Sequence, residues 1–525
     1  MKKALLTLLL CFASLTALAA PDPALVRQLA DDDSSVKVEA IRQITLNADP
    51  DAARILKALA DDSLFLAGDK AVIINGEQAL DALTGEAIKM PASPQSIVVN
   101  NRIRSELANA LAALRLFDAD PAVRRHSAEE LQTHVQPELA PVLARALAQE
   151  SAAGIKALLT TAHAQANLGN ADPALRMAAV QALAGASSPA VRSLLMPLTE
   201  KAGEPDDKVR YEAIAAVKAI KGRLAMGENI AAIFSGISLG SILLLAALGL
   251  AITYGVMGII NMAHGELLMV GAYATYGMQT LFRAWLPDYL DWYLLAAVPV
   301  AFFTAAAVGV LMERTVIRWL YGRTLETLLA TWGISLVLIQ SARVLFGAQN
   351  VEVSNPSWMS GGIELLPNLI LPWNRIIIVG FALFVLFLVW VLMNRTRLGM
   401  FVRAVTQNRP MAGCVGVPTA RIDTMAFALG AGIAGLGGVA LSQISNVGPD
   451  MGQGYIVDSF MVVVVGGVGQ LAGAVWAALG LGIFSKLLEG WAGAVIAKIS
   501  ILVCIIIFIQ KRPQGIFALK GRFVE

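Results

Sequence analysis

Within "IINMAHGELLMVGAYA", residues 259 to 274, Asn261, His264 and Glu266 stand among apolar neighbours. An amide, an imidazole and a carboxylate so close together could hold a polar solute, move a proton or fasten a turn. His264 and Glu266 are the only acidic or basic side chains between Asn229 and Phe282. Ionisable groups in a membrane-length apolar run are costly enough to mark a functional site by default. A second interruption, "MVVVVGGVGQLAGAV", sets Gly466, Gly467, Gly469 and Gly473 in another apolar run. Unwound backbone at membrane depth is tolerated only where protein buries it or where it lines a water-filled cavity, and transporters build central sites from such discontinuous helices. Asn261, His264, Gly265, Glu266, Gly466, Gly467 and Gly469 are therefore candidates for lining a translocation path. The bland alternative is that "INMAHGE" lies at the cytoplasmic ends of two spans, where a polar turn costs little.

Other chemistries fit less well. "GISLG", Gly236 to Gly240, matches a serine-nucleophile pattern with His264 as an imaginable base, but the same glycines make a G-x-x-x-G packing face. "HGE" lacks the second histidine of a zinc protease, since His126, His134 and His163 all lie before residue 225; no metal site is expected. Cys11, Cys414 and Cys504 are too few and too scattered for a disulfide framework. No G-x-x-x-x-G-K-[ST] occurs, so this chain needs no cofactor of its own and any ATP is bound by partner subunits. A net charge of +2, with no arginine stripe interleaved with aromatics, argues against nucleic acid.

The elements that must position these residues are membrane spans. The chain has 525 residues, 56% hydrophobic and 15% charged, a composition that places part of it in a bilayer. Apolar stretches of spanning length fall near 230 to 254, 260 to 282, 292 to 312, 326 to 346, 374 to 394, 423 to 444, 456 to 486 and 490 to 510. Arginines at 314, 318 and 323, then at 395, 397, 403, 409 and 421, and the basic tail with Lys511, Arg512, Lys520 and Arg522 mark three cytoplasmic segments. An even number of crossings must then separate the loop at 395 to 421 from the tail, yet three apolar stretches lie between, so the glycine-rich one is expected to be broken or re-entrant.

Residues 1 to 19 read as a secretory signal ending at Ala17-Leu18-Ala19, and Leu10 before Cys11 is unfavourable for lipidation. The exported residues 20 to 225 carry a recurring pattern: "DDDSSVKVEAIRQI", "DADPAVRRHSAEELQ", "NADPALRMAAVQAL" and "EPDDKVRYEAIAAV". Each starts with an aspartate cap and continues with apolar residues at helical spacing. These units resemble HEAT repeats, which stack into an α-solenoid. Turn signals at Gly68-Asp69, Asn75-Gly76 and Thr84-Gly85 imply a β-rich insert over about 64 to 100. The solenoid is read either as a docking platform or as an assembly element.

Five stretches carry a family resemblance: "GLAITYGVMGIINMAHGELLMVGAY", "ERTVIRWLYGRTLETLLATWGISLVLIQ", "TRLGMFVRAVTQNRPMAGCVGVPTARID", "VVVVGGVGQLAGAVWAALGLGI" and "KRPQGIF". They look like the permease subunits of branched-chain amino acid type ABC importers. The "AGDKAVIINGE" and "LTGEAI" insert and "NNRIRSELANALAALRLFDAD" resemble the urea-transporting members of that family. The resemblance implies an all-α, polytopic inner-membrane permease over 226 to 525, preceded by the periplasmic solenoid, with the C-terminus in the cytoplasm. It implies a second homologous permease, two cytoplasmic ABC ATPases, a periplasmic substrate-binding protein and a small neutral solute such as urea. Within 394 to 423 it marks Arg403, Ala404, Gly413, Gly416 and Val417 as the surface that meets an ATPase. The alternatives are a branched-chain amino acid permease and a membrane-anchored interaction scaffold.

Overall fold

A computed structural model describes residues 22–517 except 48, 49, 69, 77, 92, 93, 134, 367, 368, 513 and 514. The secretory signal, His134 and the tail charges Lys520 and Arg522 lie outside the described residues. The chain divides into two compact units between Leu224 and Ala225.

The first unit begins with α1 (Pro23–Gln28), α2 (Ser34–Asn47) and α3 (Pro50–Ala60). A five-stranded antiparallel sheet follows, made of β1 (Leu64–Ala67), β2 (Lys70–Asn75), β3 (Gln78–Asp81), β4 (Ala87–Ile88) and β5 (Gln95–Ser96) in the order β4-β3-β2-β1-β5. Its two tight hairpins close at Ala67↔Lys70 and Asn75↔Gln78, where Gly68 and Gly76 take positive φ. Helices then resume as α4 (Asn101–Arg115), α5 (Pro121–Thr133), α6 (Ala140–Gln149), α7 (Ala153–Asn167), α8 (Pro173–Leu183) and α9 (Pro189–Leu195), ending in the opening turns of α10 (Asp207–Met257). Their starts are set by caps: the Asp172 carboxylate accepts from the Ala174 N–H, and Asn100 from Ile103, both at 2.9 Å.

Three apolar cores lie in series along this unit. Leu107 on α4 belongs to the first and Ala113, on the same helix, to the second; α7 joins the second through Leu159 and the third through Ala164. Each such helix is sandwiched between neighbours, so no helical pair buries its surface alone. Buried ion pairs reinforce the seams. Arg124 donates to Glu150 at 2.9 and 3.2 Å and to the carbonyls of Asp118 and Ala119 at 3.0 Å. Arg176 repeats this with Glu204, twice at 2.7 Å, and with the carbonyls of Asn170 and Ala171.

The second unit holds the rest of α10 and α11 (His264–Trp285), α12 (Tyr293–Thr315), α13 (Thr324–Phe346) and α14 (Trp373–Arg395). A short hairpin of β6 (Gly362–Leu366) and β7 (Leu369–Pro372) precedes α14. Two short helices, α15 (Arg397–Gln407) and α16 (Arg409–Cys414), lead into α17 (Thr419–Ser442), α18 (Met451–Gly466), α19 (Leu471–Ala492) and α20 (Ala494–Lys511). Among the described residues seven helices are long and apolar enough to cross a membrane. In α17 83% of the most apolar window is buried, against 17% in α20, so α17 is a central helix and α20 a peripheral one. Backbones approach closely around α17: Gly430 meets Gly249 on α10, and Gly435 meets Gly271 on α11.

The apolar stretch at 456 to 486 is two helices, not one. It breaks after Gly466, and Gly467 and Gly469 adopt φ of +97° and +74°, a region L-residues rarely enter. Four helices therefore follow the arginine-rich loop, three of them long and apolar enough to cross a membrane and one, α18, shorter. With 16 residues, α18 is roughly 24 Å long, shorter than the ~30 Å hydrocarbon core.

Candidate translocation site

The other interruption lies deeper than a surface turn. Gly258, at φ +67°, ends α10, and the chain runs non-helically to Ala263 with Ile259, Asn261 and Ala263 buried. His264 and Glu266, in the first turn of α11, are 0% and 1% exposed. His264 Nε2 donates to the Ala246 carbonyl at 2.9 Å, eleven residues above the end of α10. Ser335, at the midpoint of α13, donates to Glu266 Oε1 at 3.0 Å. The turn does lie between the ends of two helices, but it is enclosed by protein rather than solvated. Through Ser335, Glu266 is level with the middle of α13.

The remaining contacts fix the stretch. Thr331 accepts from the Met262 N–H at 3.2 Å, and the Asn261 side-chain oxygen from the Ala263 N–H at 3.0 Å. The backbones of Gly265 and Gly452 touch, and a Cβ on Gly452 would stand 2.6 Å from Glu266 Oε2. The carboxyl therefore sits where α11 and α18 both begin, at the positive ends of their dipoles. Asn261 Nδ2, His264 Nδ1 and Glu266 Oε2 are buried with no partner among the described residues. Together they offer an amide donor, an imidazole nitrogen and a carboxyl oxygen.

The glycine candidates part company. Gly466 is a packing contact, since a Cβ there would fall 2.5 Å from the Gly473 carbonyl carbon. Gly467 packs against Gly515, and the Ile516 N–H donates to the Val465 carbonyl at 2.8 Å. Gly469 instead lines a cavity of ≈ 480 Å³ with Arg403, Asn394, Trp390, Gln407 and Val256. The two interruptions are thus not brought into one site, whereas one glycine of the second shares a cavity with one residue of the arginine-rich loop.

On that loop Arg403 is exposed and donates to Asn394 at 3.2 Å, while Ala404 and Val417 are half-buried. Gly413 and Gly416 are exposed beside Met411 and Val415, which leaves a small apolar knob on α16. Sequence reasoning missed the fastening of this loop: Arg409 pairs with the buried Asp423, donates to Tyr321 Oη at 2.7 Å and lies over its ring. It also missed Ser335, Thr331 and Gly452, small residues ordinary in membrane helices. Gly236 and Gly240 press against Ile483 and Leu479 of α19, while His264 is engaged with Ala246, so "GISLG" is a packing face.

The family described as branched-chain amino acid transport system / permease component matches residues 232–510. The high-affinity branched-chain amino acid permease protein LivH of Escherichia coli K12 is 30% identical over 291 residues, 54% of this chain and 93% of its own. BraD of Pseudomonas aeruginosa, of the same printed function, is 28% identical over the same shares. The probable LivH of Methanocaldococcus jannaschii is 25% identical over 53% of this chain and 88% of its own. No solved structure matches.

Proposed function

The chain belongs to the branched-chain amino acid ABC transport permease family, and from that membership we propose that it forms the translocation path of an ATP-driven importer together with a second permease. Two ATPases and a substrate-binding protein complete the assembly. The first unit faces the binding protein's compartment and the arginine-rich loops face the ATPases, with α15 and α16 as the docking surface. The observation that carries this reading is the unpartnered Glu266 Oε2 set between the N-termini of α11 and α18. Once the bundle opens, helix N-termini suit the carboxylate of an amino acid and Glu266 suits its ammonium group.

A zwitterionic amino acid with an aliphatic side chain is accordingly the favoured solute, in keeping with the branched-chain amino acid permeases among its relatives. Urea or a short amide is the second reading, supported by the likeness of stretches within residues 67 to 120 to urea-transporting permeases. Proteoliposomes containing the chain with its second permease, ATPases and binding protein should take up labelled leucine in an ATP-dependent manner. Uptake of urea without leucine would move the assignment to the second reading. Uptake of neither would leave the scaffold.

A further inference from the structure

The recurring pattern in the first unit places a cation at the fourth residue of a helix in each copy: Lys37 on α2, Arg124 on α5, Arg176 on α8 and Arg210 on α10. In the second and third copies a buried glutamate answers it from three residues before the first residue of a later helix. Glu150 precedes Ala153 of α7, and Glu204 precedes Asp207 of α10. In the fourth copy Arg210 turns to Asp207 on its own helix.

The first copy differs at one place. The corresponding residue, three before Asn101 of α4, is Val98. Lys37 is 6% exposed, yet its ammonium donates only to the Val98 carbonyl, at 3.0 Å, and has no carboxylate partner among the described residues. The Val98 side chain is 74% exposed. A cavity of ≈ 180 Å³ is lined by Lys37, Val98, Asp32, Ser34, Ser96 and Asn100, the Asn100 amide donating to the Ser34 hydroxyl at 2.8 Å. That is room for a solute of several heavy atoms rather than a single water. Asp31 and Asp33 accept in the turn from the N–H groups of Asp33 and Ser35 at 2.8 Å, and Asp32 is the acid among the residues lining the cavity.

We propose that this cavity binds a small carboxylate-bearing solute, whose carboxylate meets Lys37 as Glu150 and Glu204 meet the sister arginines. Asp32 favours a solute that also carries an ammonium group, which makes a small amino acid a better fit than a simple carboxylate.

Titration calorimetry on the purified full chain, with acetate and glycine as probes in a chloride background, tests this. Wild type should bind both, glycine more tightly, and Asp32→Asn should remove the preference. Lys37→Met should weaken both by about tenfold or more. Val98→Glu supplies the missing internal carboxylate, so it should abolish binding while raising the melting temperature. Should Lys37→Met fail to fold, Val98→Glu still decides. Absence of binding to wild type, or undiminished binding to Val98→Glu, would overturn the proposal.

Discussion

Glu266 has one satisfied oxygen and one unsatisfied oxygen, and the two invite different substitutions. Glu266→Gln keeps an acceptor for the Ser335 hydroxyl and nearly the same volume but removes the charge proposed to meet an ammonium group. It should cut uptake per folded complex about tenfold or more, a loss of at least ~1.4 kcal/mol of interaction, while the detergent melting temperature stays close to wild type. Glu266→Leu strands the Ser335 hydroxyl and should cost about 1 to 3 kcal/mol of stability as well. Equal loss of stability in both, with transport per complex unchanged, would make Glu266 a structural fastening. Asn261, His264 and Glu266 were legible because polar groups in an apolar run have no ordinary reason to be there. Their partners were not, because Ser335 and Gly452 are residue types that membrane helices use everywhere for packing.

At the level of elements, glycines marked where helices end but not what the ends do. The break at 467 to 470 could be read from composition, because its glycines are the residues at which the chain takes positive φ. The close approach of Gly466 to Gly473 could not, because contact between two helices is a property of their packing rather than of either sequence. Gly466→Val should force α18 and α19 apart, costing about 1 to 3 kcal/mol by overpacking, read as a lower melting temperature in detergent. Gly413→Trp on the exposed α16 meets open space, so it should leave that temperature alone and uncouple ATP hydrolysis from uptake. Normal coupling in Gly413→Trp would reduce the loop to a topological anchor. The starts of α8 and α2 were legible from their aspartates, and the interruption near residue 260 from its polar residues, whereas the burial of the run after Gly258 was not, because it depends on the helices packed around it.

For the molecule as a whole, the two units are built on different solvents, and acid should separate them. The hydrogen bonds from Arg124 and from the Ala152 N–H hold the Glu150 carboxyl down at about 2 against the opposing effect of burial, and the hydrogen bond from Arg176 lowers Glu204 in the same sense. A carboxyl depressed on folding stabilises fully above its unfolded value, near 4.3, and that stability is lost as pH falls toward the folded value. The first unit should therefore lose hydrogen-exchange protection between about pH 5 and pH 2, around α5 to α8 before the membrane helices. Glu150→Gln should flatten that dependence. Simultaneous loss in both units, or an unaltered profile in the variant, would show that the ion pairs do not govern acid stability.

The valine at position 98 has a meaning in the language of codons. All four valine codons become aspartate or glutamate codons when the middle base changes from T to A. The first repeat thus stands a single nucleotide from gaining an acid next to Lys37, and with glutamate it would have the closed pair that its sisters possess. Random mutagenesis followed by selection for heat resistance alone would sample that change early, and each clone that accepted it would trade an open cation for a sealed one.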